Sequence, residues 1–249
     1  MPELSTKLRR FFGSKPTTSS LSEKQSAVKP TPTTTTPVKM SSTISAAQFL
    51  AAAKHRRSVY GLKNTSAVSD KRVQEILEEV LSFTPSSYNT QPLRIVLVTG
   101  AKHAALWDAI SAAAEPVLKG AGEEVWKTMQ GIFQMHKGAY GSVAFFDSAN
   151  VIAESGKTHA SAAHMFDEFS HHSSGMAQIL VWSSLELEGL GANLQHLNAI
   201  PPVEEAIKKF LAVPEDWKLR AHLNYGDEAQ PHPEVPQKLS TTETLKVVN

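Results

Sequence analysis

SDKRVQEILEEVLSFTPSSYNTQPLRIVLVTG, residues 69–100, contains a helix pattern, a polar turn and a strand pattern in direct succession. Ser69 is a favourable N-cap residue, and apolar residues follow it at helical spacing as far as Phe83. The apolar run that stops at Gly100 predicts a buried strand over Arg94–Gly100. A segment that supplies both a helix and a buried strand predicts a protein built from α and β layers.

Patterns of the same two kinds continue along the rest of the chain, with more helices than strands. The other predicted helices are Ile44–Ser58, His103–Lys119 with a break or kink at Pro116, Glu123–Met135, Ala160 to about Leu187 with a possible break near Ser173–Gly175, and Pro201–Ala212. The other predicted strands are Ser142–Ser148, Ala192–Leu197, Lys218–Gly226 and a C-terminal edge strand in ETLKVVN. No repeat is visible, so we predict an α+β fold with helices around a modest sheet.

The composition excludes several classes of protein. The chain has 249 residues and no cysteine, which excludes disulfides, thiolate metal sites and a cysteine nucleophile. No apolar run reaches the roughly 18 residues of a membrane span. Beyond residue 40 the chain carries 18 basic and 22 acidic residues, a balance that argues against binding to nucleic acid.

The first 41 residues differ in composition from the remainder, 42–249. They are rich in Ser, Thr, Pro and Lys, which predicts a disordered extension in front of one folded domain. Leu4–Gly13 is basic and could form an amphipathic turn, so mitochondrial targeting and a plain extension both remain open; Glu3 and Glu23 count against targeting. We expect a cytoplasmic protein that could also be present in the nucleus.

The polar turn PSSYNTQP, Pro85–Pro92, carries the densest group of uncharged hydrogen-bonding side chains. Side chains of this kind commonly bond to their own backbone in turns. Amides such as Asn89 and Gln91 also offer donors and acceptors that suit the edge of a heteroaromatic ring. Taken alone, the turn favours the first interpretation.

Two further motifs are equally ambiguous when each is taken alone. HRRS, His55–Ser58, could clamp a phosphate with two guanidinium groups, or place basic residues against a helix C-terminus. ELEGLGANLQH, Glu186–His196, contains Gly189 and Gly191, which could present backbone N–H groups to a ligand or form a helix C-cap. The sequence is not the dinucleotide-binding GxGxxG, because the third glycine is missing.

The histidines raise the possibility of a metal-dependent hydrolase. His164 and His171 are seven residues apart, and the HExxH spacing is absent, so we expect no metal. His171 and His172 are instead interpreted as polar groups at a helix break that line a substrate pocket, together with Tyr60. Neither GxSxG nor a P-loop is present, so a serine hydrolase and a P-loop nucleotidase are also disfavoured.

HRRS, PSSYNTQP, GLG and a late Lys238 occur together and in this order, from about Ile44 to the C-terminus. This combination resembles the nitroreductase family of flavoproteins, whose PSSxNxQP motif is nearly identical to PSSYNTQP. RRSVYGL, HHSSGMAQ and GLGANLQHLN look most like the compact fungal branch, the fatty-acid-repression-mutant-type nitroreductase-like proteins. The resemblance covers everything except the N-terminal extension.

The resemblance implies a nitroreductase-like α+β fold with a central, mostly antiparallel sheet, and a homodimer that binds FMN at its interface. By similarity, Arg56 and Ser58 contact the phosphate or ribityl chain, Asn89 bonds to the ring, and the glycine loop lies near N5. The implied cofactor-binding residues are Arg56, Arg57, Ser58, Pro85, Ser86, Ser87, Asn89, Gln91, Gly189, Leu190, Gly191 and Lys238. Two departures are Ser240, where many members have an arginine, and Tyr60, where some have a lysine.

The function implied is an FMN-dependent oxidoreductase with ping-pong use of NADH or NADPH and small planar acceptors such as nitroaromatics and quinones. A link to the oxidative-stress response is part of this expectation. No catalytic side chain is expected, because the flavin carries the chemistry. The alternative is an FMN-binding regulatory or storage protein with little turnover, linked to lipid signalling.

Overall fold

Four antiparallel strands form one sheet in a computed structural model of the chain, which describes residues 44–249. The strands are β1 (Leu93–Thr99), β2 (Gly141–Ser148), β3 (Gly191–Gln195) and β4 (Trp217–Gly226), in the spatial order β1-β2-β4-β3. All three pairings are antiparallel. The predicted α+β fold and all four internal strands are therefore confirmed. The predicted N-terminal extension, residues 1–41, lies outside the described residues, so both the extension and its boundary stay predictions.

Eight helices surround the sheet in the described part of the chain. They are α1 (Ala46–His55), α2 (Asp70–Phe83), α3 (Gly100–Ala121), α4 (Glu123–Lys137), α5 (Ala149–Thr158), α6 (Phe166–Leu187), α7 (Pro201–Leu211) and α8 (Thr241–Thr244). Short 3₁₀ turns occur at Ser87–Asn89, Ala160–Met165 and Leu197–Ala199. The start of α2 is as predicted, since the Ser69 hydroxyl accepts the backbone N–H of Arg72 at 3.2 Å. None of the described helices is long and apolar enough to cross a membrane.

The two faces of the sheet support separate hydrophobic cores. Val143 and Phe145 of β2 point towards α2 and α6, whereas Ala144 and Phe146 point towards α3, α4 and α7. This alternation follows from the period-two geometry of a strand. Every residue of β2 is buried because both of its faces are covered. The continuous apolar run in the sequence of this strand thus has its structural cause.

A network of buried polar side chains interrupts the core on the α3–α4 face. Asn224 of β4 accepts the Trp107 indole N–H at 3.0 Å and contacts the Nδ1 atom of His136 at 3.3 Å. It also donates to Asn193, whose side chain donates in turn to the backbone carbonyl of Val59 at 2.8 Å. We call this group the histidine–asparagine network; its members are His103, Trp107, His136, Ser142, Asn193, His222 and Asn224.

A β-bulge in β4 redirects one arginine. Phe145 pairs with Ala221 and Phe146 with Leu219, which leaves Arg220 as the extra residue. Its guanidinium group reaches the buried carboxylate of Asp147, with Nε and Oδ2 2.7 Å apart. Bulges commonly turn a side chain in this way, and this one places a cation beside α6.

Four local predictions are wrong or incomplete. Helix α3 continues through Pro116, so the predicted break is absent there and the alternative of a kink stays a prediction, and α6 runs unbroken through residues 173–175. The long helix begins only at Phe166, after a 3₁₀ turn. ETLKVVN, residues 243–249, forms no strand. Its first two residues belong to the short helix α8, which begins at Thr241. Helix α5 was missed, although Ser148 caps it by accepting the Val151 N–H.

Candidate functional site

The polar turn has an unusual backbone. Tyr88, Asn89 and Gln91 have φ angles of 54°, 54° and 53°, in the left-handed region that residues with a side chain rarely adopt. Each such residue costs on the order of 1 kcal/mol or more, and strain of this kind clusters at functional sites. The turn is held in shape by Ser86, whose hydroxyl accepts the Gln91 N–H at 2.9 Å.

This turn forms one wall of a cleft of about 440 Å³. Val151 of α5 and Ser173 of α6 also line this cleft. The side chains of Asn89 and Gln91 are exposed, and the Asn89 amide forms no side-chain hydrogen bond within residues 44–249. Tyr88, for which the sequence suggested no role, stacks on His159 with ring centroids 4.0 Å apart. The turn therefore presents the unpaired Asn89 amide beside an open cleft, next to the exposed Gln91 amide, which donates to the Asn89 backbone carbonyl at 3.4 Å.

The arginine segment, Arg56–Ser58, follows directly on α1. The Arg56 guanidinium lies over the Trp182 ring, 4.2 Å from its centroid, in a cation–π contact. The Arg57 side chain is buried and donates to the backbone carbonyl of Lys54, so it caps α1 at its C-terminus. The Ser58 side chain is exposed. Arg56 and Ser58 thus remain the members of this segment that can contact a ligand.

A buried carboxylate lies behind the arginine segment. Glu186 of α6 accepts the Arg57 backbone N–H at 2.6 Å on one oxygen and the Trp182 indole N–H at 2.7 Å on the other. The Nε2 atom of His232 lies 3.9 Å from Oε2 of Glu186, and its Nδ1 atom is hydrogen-bonded to Oε1 of Glu228 at 2.7 Å. Burial raises the pKa of Glu186 to about 7, although its hydrogen bonds and the nearby cations oppose the shift. This group ties α6, the arginine segment and the C-terminal segment together.

The glycine loop, Gly189–Gly191, first serves as a helix C-cap. The N–H groups of Gly189 and Leu190 donate to the carbonyls of Glu186 and Leu185, which is the Schellman pattern, and Gly189 has a φ of 95°. Gly191 begins β3 in a tight place. A Cβ atom there would lie within 2.9 Å of the side chains of Val59 and Leu62. The loop therefore packs directly against the chain that follows the arginine segment.

The structure brings some of the predicted site residues together and separates others. The arginine segment and the glycine loop are neighbours, and the Val59 N–H donates to the Ala192 carbonyl at 2.8 Å. The polar turn lies beside a different stretch of α6, near Ser173, whereas the arginine segment lies near Trp182. Nine residues of helix separate these positions, which corresponds to roughly 13 Å along the axis. The cleft beside the polar turn is lined by no residue of the arginine segment, and the cleft that Arg57 lines contains no residue of the polar turn.

The remaining predicted residues lie elsewhere on the surface. Lys238 is exposed in the irregular segment after β4 and makes no ion pair within the described residues. Tyr60 is exposed, with its ring centroid 6.3 Å from that of His136. His171 and His172 lie within the continuous helix α6 and not at a break, and His171 contacts the bulged Arg220. Their place in a substrate pocket stays a prediction.

Sequence reasoning overlooked Glu186, Trp182 and His232. Glu186 and Trp182 were visible as part of the ELEGLG motif and of an apolar helix, four residues apart and so on one helical face. A carboxylate on the buried side of a helix was the available signal. Among residues 44–249, no group of three or more His, Cys, Asp or Glu side chains could hold a metal ion.

Comparison with known proteins agrees with this architecture. The model of the nitroreductase family matches residues 53–227. HBN1 of Saccharomyces cerevisiae is 32% identical over 187 residues, which cover 74% of this chain and 90% of HBN1. The nitroreductase FRM2 of the same yeast is 32% identical over 180 residues, or 72% of this chain and 86% of FRM2. The structure of nitroreductase CinD from Lactococcus lactis in complex with 4-nitrophenol has a TM-score of 0.69 at 33% identity, and covers 81% of this chain and 100% of CinD.

These matches define an α+β protein of the nitroreductase-like fold. The chain belongs to the nitroreductase family. The resemblance inferred from HRRS, PSSYNTQP and GLG is therefore confirmed, and family and fold together support an oxidoreductase.

Proposed function

We propose that this protein is an FMN-dependent oxidoreductase that takes electrons from NADH or NADPH in a ping-pong mechanism and passes them to a small planar acceptor. The observation that carries the proposal is the polar turn, where three residues with side chains hold left-handed backbone angles beside an open cleft. Strain is retained in a fold only when the surrounding structure enforces it, and it commonly serves binding. A turn that merely connected α2 to β1 would gain stability from glycine at these positions.

The residues present fit the chemical groups of FMN. Asn89 and Gln91 offer amide donors and acceptors to the edge of a heteroaromatic ring, and Arg56 with Ser58 offers donors to a phosphate. The cleft beside the turn, about 440 Å³, has the size of a small-molecule site. Bound FMN would supply hydride and electron transfer, which side chains cannot perform. Solved structures show CinD in complex with chloramphenicol, with nicotinic acid and with 4-nitrophenol, which supports a site for aromatic molecules.

We further propose that the site is completed by a second copy of the chain. The polar turn and the arginine segment lie at separate positions beside α6, so one copy supplies two half-sites. Helices α1 and α2 both pack against α6, and all three expose large apolar side chains. These side chains are Phe49, Leu50, Leu81, Phe83, Met176 and Ile179. An apolar surface of this kind is typical of an interface between subunits.

In this arrangement the chain binds and orients and does not act as an acid or base. The amides of the polar turn fix the ring edge and donate hydrogen bonds where negative charge develops, which is electrostatic preorganisation. The arginine segment fixes the phosphate, and the apolar faces of the two copies exclude water. Ser173 and Val151 complete the lining of the cleft.

The proposal is tested by the absorption spectrum of the purified protein and by anaerobic titration with NADH and NADPH. We expect bands of oxidised flavin, their loss on addition of a pyridine nucleotide, and their return when a nitroarene or quinone is added. Bound flavin without turnover of any acceptor would favour the regulatory or storage alternative. Protein that takes up no FMN would refute the proposal.

Arg56→Ala removes the cation that is available for the phosphate. We expect stoichiometric flavin to be lost, while far-UV circular dichroism shows an intact fold, because Arg56 lies on the surface of the Trp182 ring and not in the core. Lys127→Ala, at an exposed position of α4 on the other side of the sheet, serves as the matched control and should retain flavin. Full flavin content in the Arg56 variant would exclude the assignment of this residue to the phosphate.

A further inference from the structure

Glu186 is buried, with 2% of its surface exposed, in a part of α6 that otherwise faces the hydrophobic core. Both of its carboxylate oxygens accept an N–H, one from the Arg57 backbone and one from the Trp182 indole. The Trp182 ring in turn carries the Arg56 guanidinium on its face. One side chain therefore fixes both the backbone of the arginine segment and the surface on which Arg56 rests.

Retaining an acidic group at this position lowers stability. A carboxylate loses hydration when it is buried, and this cost is recovered only in part by hydrogen bonds. Burial is also the cause of the raised pKa of Glu186. The free energy of unfolding that this group contributes is therefore lost as the pH rises from 4.5 to about 7. A neutral residue could pack against the core at this helix end without the cost of burying a charge. The placement points to a role in the site.

We propose that Glu186 is a positioning residue for the flavin phosphate: it holds Arg56 and the Arg57–Ser58 backbone in the geometry that receives a phosphate ester. This inference rests on the proposed function, since it concerns the phosphate end of FMN. It assigns to Glu186 no contact with the flavin itself. Its consequence is a preference for phosphorylated flavin over riboflavin that depends on a carboxylate outside the ligand's reach.

The isosteric variant Glu186→Gln separates this role from packing. A glutamine side chain has one acceptor oxygen and one NH₂ group, whereas both partners of Glu186 are donors. One of the two hydrogen bonds must therefore be lost, although the volume is unchanged. Glu188→Gln is the matched control, because Glu188 lies two residues further on and pairs with Arg72 on the surface.

Dissociation constants for FMN and riboflavin are measured by flavin fluorescence with the full-length chain at pH 8, together with thermal unfolding. We expect Glu186→Gln to weaken FMN binding about tenfold and riboflavin binding less than twofold. The melting temperature should not decrease, because removal of a buried charge at pH 8 offsets the loss of one hydrogen bond. Glu188→Gln should change neither constant. Trp182→Phe, which removes the indole donor and keeps a ring under Arg56, should also weaken FMN binding more than riboflavin binding.

Three results would overturn the inference. Equal weakening of FMN and riboflavin would mean that Glu186 acts through general stability, and unchanged FMN binding in Glu186→Gln would mean that it has no part in the site. A wild-type protein that binds FMN and riboflavin equally well would show that no phosphate clamp exists. If the wild-type protein binds neither flavin, the proposed function itself fails, and that result is seen before any variant is made.

Discussion

The histidine–asparagine network and the region beside α6 are both rich in polar groups, yet they treat those groups in opposite ways. In the network, His103, His136, Asn193 and Asn224 are buried and hydrogen-bonded inside the fold, and the buried His222 ring stacks on Trp107. Beside α6, the polar turn keeps Asn89 and Gln91 exposed on a strained backbone, and Arg56 lies at a half-buried position. In the network most hydrogen-bonding groups are bonded inside the fold, whereas beside α6 such groups remain exposed and can bind a ligand.

The two regions also respond in opposite directions to pH. Burial lowers the pKa of His103 and His136 to about 4 and that of His222 to about 3, so stability is lost as the pH falls below 6.5 and the unfolded chain takes up protons. Burial raises the pKa of Glu186 to about 7, so its contribution is lost as the pH rises from 4.5 to 7. Burial of a titratable group alone therefore does not identify a site. A site also needs nearby hydrogen-bonding groups that are exposed to a ligand.

The strongest test of this contrast is Asn224→Leu, at the centre of the network. The substitution leaves the Trp107 indole N–H and the His136 ring without their partner, so we expect a loss of roughly 4 kcal/mol in the free energy of unfolding in urea. Flavin affinity of the folded protein should change less than threefold. Asn64→Leu, at an exposed position, should change stability by less than about 0.5 kcal/mol. If the folded Asn224→Leu variant lost much more than threefold in flavin affinity, the two regions would not be independent.

An intermediate effect is expected from His222→Phe. Neither ring nitrogen of His222 has a hydrogen-bond partner in the described structure, and its ring stacks on Trp107 at 5.2 Å. Between pH 7 and pH 5 the wild-type protein should lose roughly 2 kcal/mol that the variant does not lose, because the histidine pKa is depressed in the folded state. Urea unfolding at the two pH values measures this difference, and His172→Phe on the surface is the control. Identical pH dependence of His222→Phe and wild type would contradict the cause assigned here.

The smallest effect is a gain in stability from Gln91→Gly in the polar turn. Glycine adopts the left-handed angle of this position without strain, which should raise the free energy of unfolding by up to about 1 kcal/mol. Flavin affinity should fall at the same time, because the amide is removed. Thr90→Gly, one residue earlier at a φ of −74°, should lower stability. A Gln91 variant that is less stable than the wild type would remove the strain argument from the polar turn.

Local features were predictable where the sequence pattern and the structure have the same range. The N-cap at Ser69 and the apolar stripe of α2 act within one or two helical turns, and β2 has a continuous apolar run because both faces are covered. The predicted break near Ser173–Gly175 failed because polar residues there pack against α6's neighbours, which outweighs their weak helix preference. The predicted C-terminal strand was wrong because the short helix α8 takes up the first residues of ETLKVVN, and the residues after it are exposed and pair with no strand in the described structure.

The sequence by itself determined the family, the four strands, six of the eight described helices and the motifs that hold candidate ligand-binding residues, because these depend on neighbours along the chain. Only the tertiary structure decided the left-handed angles of Tyr88, Asn89 and Gln91, since the turn contains no glycine to indicate them. It alone joined Glu186 to Arg57, 129 residues apart, and placed Trp182 under Arg56. Burial and contact between distant segments set these features, and no local pattern encodes them.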